Sequence, residues 1–271
     1  MKAFLMHSNR DFDLKGELPP NAAELTQDLE LGTLFGAMSV GDKFLLEVAK
    51  KAVLASLREP EAILYRQHIL TDCLERPDII RPMYAIAVEA IERERKVWGG
   101  MFSRHPEGLL RRSVEVLEMF VGLLKRLRST ADEHGAKFRS EGFTRLFAML
   151  AKELDDDYLS IIEGHLRRLA FGSGILMSAE LGEGNKGAQY VLRKPGNTRQ
   201  SWMERIHDWL PFRDRSSYVY QIDDRDEAGF RALSELIGRG ISHVATALAQ
   251  STDHILSFFK MLRLELGFYV G

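Results

Sequence analysis

Between positions 186 and 215 lie seven cationic side chains, Lys186, Arg193, Lys194, Arg199, Arg205, Arg213 and Arg215, against three anionic ones, Glu204, Asp208 and Asp214. Tyr190, Trp202, Trp209 and Phe212 are interleaved with them. Ammonium and guanidinium groups neutralise phosphates, and aromatic faces stack on bases, so this mixture suits contact with a nucleic-acid backbone. Contacts of that kind position a protein without reading sequence. The same residues also suit a solvated loop closed around a small core of its own, and both readings stand.

Other constellations fail on spacing or context. Gly182-x-Gly184-x-x-Gly187 has the glycine spacing of a dinucleotide loop, but that loop must open a helix whose N-terminus meets the pyrophosphate. Here AQYVLR follows and reads as a strand, so the glycines fit a hairpin loop. Lys186 is followed by Gly187 and no hydroxyl, so it is not a nucleotide phosphate loop. Asp155, Asp156 and Asp157 are consecutive and diverge around a helix axis, which makes them a solvated face. Glu204-x-x-His207 is one copy of a motif that a di-iron bundle needs twice. His243 and His254 lie about three turns apart, too far to share a metal. Cys73 sits among Ile69, Leu70 and Leu74 and reads as a small core residue. No catalytic, cofactor-binding or metal-ligating residue is assigned.

The whole chain bounds these readings. It has 271 residues, 37 basic and 39 acidic, with a formal net charge of −2. That excludes a globally basic nucleic-acid binder but permits a local basic patch. One cysteine cannot form an internal disulfide, which suits a reducing, cytoplasmic compartment. No apolar run reaches the roughly 20 residues of a membrane span. The start, MKAFLMHSNRDFDL, has no signal-peptide pattern.

Helical periodicity accounts for most of the chain. Residues 1–24 read as irregular, broken by Gly16, Pro19 and Pro20, with Asn21 a capping candidate. A helical stretch follows from Ala22 to Leu57, with Leu25, Leu29, Gly32 and Gly36 on one line and a break at Gly41-Asp42. Pro60 opens a helix carrying Ile63, Leu64, Ile69, Leu70 and Cys73, and Pro77 and Pro82 start another that runs to about Trp98. Gly99-Gly100 marks a turn. Leu110, Val114, Leu117, Val121 and Leu124 step by 4, 3, 4 and 3, a buried helix seam. Phe143, Phe147, Leu150, Leu154, Tyr158, Ile162, Leu166 and Leu169 predict one long helix. From 172 the chain becomes glycine-rich, and Ile175–Met177, Tyr190–Leu192 and Ser217–Ile222 are strand-like. Helical spacing resumes near Asp226 and runs to Tyr269, roughly 65 Å at 1.5 Å per residue, with Gly238 and Gly240 as possible kinks. The fold expected is mainly α: a helical core with a first long helix over 1–171, a small β-containing insertion over 172–225, and a long returning helix over 226–271. The two long helices should pair antiparallel with the insertion at their far end. The apolar ending Phe268-Tyr-Val-Gly271 is expected to lead into further chain.

This order of elements resembles the core of MutS-type DNA mismatch-repair proteins. The resemblance rests on Leu31-Gly-Thr-Leu-Phe35, on Phe44–Lys51, and on Leu57–His68, where Ile63, Arg66, Gln67 and Ile69 approximate an I-x-x-R-Q-x-x-(I/V) helix. It implies that 143–170 and 226–269 are lever helices and that the insertion stands in the place of the clamp. The family's Phe-x-Glu wedge is missing, so the resemblance is to a shortened relative without the mismatch-recognition and connector domains. It also implies an ATPase domain, with its ATP and magnesium, beyond Gly271. The parent would then be an ATPase, while this chain would be no enzyme and would hold no cofactor.

The function expected is therefore a non-catalytic core, lever and clamp-like region, coupling that ATPase domain to DNA in mismatch repair or related DNA metabolism. The implied partners are duplex or branched DNA, bound weakly and without sequence preference, the chain's own ATPase domain, and a second copy of the chain; no membrane is implied. The alternative is a helical scaffold or oligomerisation domain with no nucleic-acid role, whose seams, such as Leu110–Leu124, would bury a partner.

Overall fold

Capping residues and prolines set the helix boundaries. The structure, a computed structural model, describes residues 1–97, 106–170, 177–181, 187–192 and 227–271, with backbone only for 177–181, 187–192 and most of 227–240. Helices α1 (Ala22–Asp28), α2 (Leu31–Ser39) and α3 (Lys43–Leu54) occupy the stretch expected to be helical. Asn21 holds the N-cap position of α1 but makes no side-chain cap. Gly41 has a φ of +81°, a conformation that glycine adopts without steric cost, and the Asp42 carboxylate then caps α3 by accepting from Phe44 N at 2.6 Å. The apolar line through Leu25, Leu29, Gly32 and Gly36 does not form. Glu30 turns left-handed between α1 and α2, which breaks the helical phase and leaves Leu29 63 % exposed.

Helices α4 (Pro60–Glu75) and α5 (Pro77–Lys96) each begin at a proline, where the missing N–H would have no partner in any case. Helix α6 (Pro106–His134) carries the predicted seam, and Leu110, Val114, Leu117, Val121 and Leu124 are all buried. A 3₁₀ turn, Gly135–Lys137, leads into α7 (Glu141–Glu153) and α8 (Asp156–Leu169). The single helix expected over 143–170 is thus two. Asp155 ends the first by capping the second, its side chain accepting from Tyr158 N at 2.7 Å, a local bond that competes with continuing the helix. Strands β1 (Met177–Leu181) and β2 (Gly187–Leu192) pair antiparallel, with Met177 opposite Leu192 and Leu181 opposite Gly187. The two strands stand where a hairpin is expected, the first starting two residues later than expected. The last helix, α9 (Glu227–Val270), runs 44 residues.

Helix α9 packs along α6 and α5. Gly238 lies beside Pro106 and Phe259 meets Phe120, ring centroids 5.4 Å apart, so α6 runs parallel to α9. Gly267 lies against Tyr84, which places the start of α5 at the end of α9. α8 flanks α6 in the opposite direction: Arg128 donates to the carbonyls of Ala151 and Leu154, and Lys125 pairs with Glu163 at 2.6 Å. α6 and α5, not the 143–170 segment, therefore form the long support of α9. One core joins these helices with residues 3–12 of the N-terminal segment. The seam of α6 is consumed within this core, so it is not available to the partner that the scaffold alternative gave it.

Candidate functional site

Two regions merit attention, one at each end of α9. At the first end, β2 lies against α9. Lys186 immediately precedes β2, and Arg193 and Lys194 immediately follow it. Lys186, Arg193, Lys194, Arg199, Arg205, Arg213 and Arg215 all lie outside the described residues, as do Trp202, Trp209, Phe212, the Ser217–Ile222 run, the Gly99-Gly100 turn and the insertion boundaries near 171 and 225. Of the aromatic residues interleaved with these cations, Tyr190 alone is described, and it lies on β2.

The other end is a buried polar knot. Glu265, with 0 % of its surface exposed, sits on α9 among Leu262, Leu266 and Tyr269. Its carboxylate accepts from Leu5 N at 2.5 Å through Oε2 and from Phe12 N at 3.2 Å through Oε1. The phenol of Tyr65, on α4, donates to the Phe4 carbonyl at 2.6 Å. Arg66 donates to the carbonyls of Ala52 at 3.1 Å and Met6 at 3.3 Å, and Arg145, on α7, donates to that of Ser8 at 2.9 Å. Lys51, on α3, donates to the carbonyls of Gly16 and Glu17, both at 2.7 Å. Four helices thus hold the backbone of residues 4–17 as a strap across the end of α9.

Burial dominates the electrostatics here. It pushes the Glu265 carboxyl up from 4.5 to about 7, although the amides of Leu5, Phe12 and Met6 favour its charged form. Burial, aided by the positive charges of Arg66 and Arg10, lowers His7 from 6.5 to about 4. Tyr65 is pushed up to about 12, chiefly by burial, and Tyr269 is also raised well above its ordinary value by burial. The knot holds amides, carbonyls and phenols around one carboxylate; it binds backbone and sets no nucleophile beside a base.

Other residues singled out by type have structural surroundings. Cys73 is buried, and burial beside Asp72 raises its thiol well above the ordinary value, as suits a core residue. Asp72 itself accepts from the backbone N–H groups of Arg139 and Ser140, steering the chain into α7. His243 and His254 face solvent. Among the described residues, no group of three or more His, Cys, Asp or Glu could hold a metal, and no helix is long and apolar enough to cross a membrane. Arg66, read from sequence as part of a family pattern, is the clasp between α4 and the strap. Glu265 was not singled out. Its signal was a lone carboxylate in the apolar spacing Phe258, Leu262, Leu266, Tyr269.

Residues 58–271 match the MutS2 N-terminal domain family. No curated protein and no solved structure matches the chain.

Proposed function

The chain belongs to the MutS2 N-terminal domain family, and from that premise we propose that it is the non-catalytic core and lever region of a MutS-related DNA-binding ATPase, with the 172–225 insertion as its clamp-like DNA contact. The carrying observation is α9. One unbroken helix of 44 residues joins the basic insertion to the buried knot beside the strap, braced along its length by α5 and α6. A rod of this kind carries a displacement from one end to the other when its packing has two arrangements. At the insertion end, the cations directly flanking β2 would meet phosphates. At the other, an ATPase domain would push or pull.

The test is fluorescence anisotropy of the full chain on duplex DNA at low salt, against the triple variant Arg193→Glu, Lys194→Glu and Arg199→Glu. Binding in the wild type should be indifferent to sequence and fall steeply with salt, with a log–log slope near −3 for about three to four phosphate contacts. The triple variant should lose it. Equal affinity in the two proteins removes the insertion from the DNA contact and leaves the solvated-loop reading.

A second reading, a helical scaffold, is favoured by one observation: α4 exposes Leu64 at 50 % and Leu74 at 73 % on its outer side. Sedimentation of the full chain separates the two readings. A stable oligomer that Leu64→Lys with Leu74→Lys dissociates, together with no DNA binding, favours the scaffold.

A further inference from the structure

The strap is held over the end of α9 by buried apolar side chains and by polar contacts from four helices. Its apolar anchors, Ala3, Leu5, Met6 and Phe12, are buried. The remaining holds are hydrogen bonds from side chains to strap backbone, together with the Met1 amino group on Glu153 at 3.3 Å and the Lys2–Asp11 pair. The strap also precedes the family-matched residues, which start at 58.

We propose that residues 1–17 are a latch over the end of α9 whose opening is coupled, in opposite senses, to the protonation of Glu265 and of His7. When closed, the strap buries Glu265 completely and occupies both of its carboxylate oxygens; when open, it returns Glu265 and its own His7 to water. The two groups act in opposite senses. A buried carboxylate released to water gains by ionising, so a rise in pH favours opening. An imidazole kept neutral beside Arg66 and Arg10 gains by protonating on release, so a fall in pH favours opening.

Charged and titratable groups face the pair from the strap, α4, α7 and α9; α7 supplies Arg145, which donates to the Ser8 carbonyl beside His7. The strap supplies Asp11, which opposes Glu265 ionisation, and Arg10, which opposes His7 protonation. Helix α4 supplies Tyr65, Arg66 and Cys73, and α9 supplies Tyr269. Burial raises both tyrosines and the cysteine and lowers Arg66, and the opening couples to Glu265 and His7, the two groups that the strap covers. With the carboxyl near 7 closed and 4.5 open, Glu265 alone makes opening about tenfold more frequent at pH 8 than at pH 6. With His7 near 4 closed and 6.5 open, His7 alone makes it about fourfold more frequent at pH 6. Together they leave the wild type only weakly dependent on pH, a balance that either substitution upsets.

The experiment is amide hydrogen exchange of the full chain at pH 6 and pH 8, corrected for intrinsic rates and read at Leu5 and Phe12 against Leu117 in the core. His7→Asn should open about tenfold more often at pH 8 than at pH 6, and Glu265→Gln about fourfold more often at pH 6. In all proteins the strap amides should be less protected than Leu117. His7→Asn lies on a partly exposed side chain and tests the proposal even if Glu265→Gln fails to fold. A His7→Asn protein whose strap protection does not change with pH overturns the role of Glu265. Strap protection equal to that of Leu117 overturns the latch, because the strap would then open only when the whole chain unfolds.

Discussion

The phenol of Tyr269 donates to the carbonyl oxygen of Leu5 at 2.6 Å, joining the last turn of α9 to the start of the chain across 264 positions. Both residues are buried, so neither partner has water as a substitute. Tyr269→Phe leaves the carbonyl without that donor and should cost about 1–3 kcal/mol, the usual penalty for a buried acceptor left unpaired. Urea melts check it; a loss below about 0.5 kcal/mol means that the strap finds another donor.

Stability should depend on pH through two opposed groups. Glu265 is raised in the folded state, so the fold binds the extra proton between pH 4.5 and about 7. Its contribution is full below 4.5 and is lost as pH rises through that window, by about 3 kcal/mol in all at roughly 1.36 kcal/mol per unit. His7 is lowered from 6.5 to about 4, so its contribution is present above 6.5 and is lost as pH falls through 4. Denaturation across pH 5–8 should therefore be flatter for the wild type than for either variant. Glu265→Gln should make stability rise with pH and His7→Asn should make it fall. Parallel curves for all three proteins would contradict this.

Helices α4 and α7 approach closely because residue 142 has no side chain. A Cβ at Gly142 would overlap Ile69 Cδ1 and lie 3.1 Å from the Tyr65 hydroxyl. Alanine favours a helix over glycine by up to about 1 kcal/mol, but this overlap should reverse the sign. Gly142→Ala should destabilise by about 1–3 kcal/mol, as overpacking does, and also loosen the Tyr65 bond to the strap. Thermal unfolding of Gly142→Ala alone and with Ile69→Val tests the cause; the second change should restore part of the loss.

Leu117 is 5 % exposed at the middle of the α6 seam. Leu117→Ala should cost about 2–5 kcal/mol, since α6 is clamped between α5, α8 and α9 and cannot collapse onto the space. A chemical melt measures it, and a change under about 0.5 kcal/mol would place Leu117 outside the core.

Local chemistry settled much of this protein in advance. Prolines 60 and 77 start helices because their rings suit a first turn, Asp42 caps because its carboxylate reaches the free amides, and the 4-3-4-3 spacing of α6 is buried because it lies on one face. These signals act within a few residues and can be read along the chain. The partition of buried and exposed leucines is different. Ile69 and Cys73 are buried, yet Leu64 and Leu74 on the same helix are exposed, because only neighbours distant in sequence decide which stripe is covered. The break at Asp155 illustrates the limit: a carboxylate before two more looks like solvated helix, and whether it continues the helix or caps the next depends on where α6 offers a surface for α8. Glu265 depends most on tertiary structure. Its spacing places a charge on the apolar face of α9, which by itself reads as a flaw. What makes it tenable is a pair of backbone amides from residues 5 and 12, brought to it by folding from more than 250 positions away. A carboxylate is tolerated in a core only where such donors arrive, and long-range packing alone determines where they do.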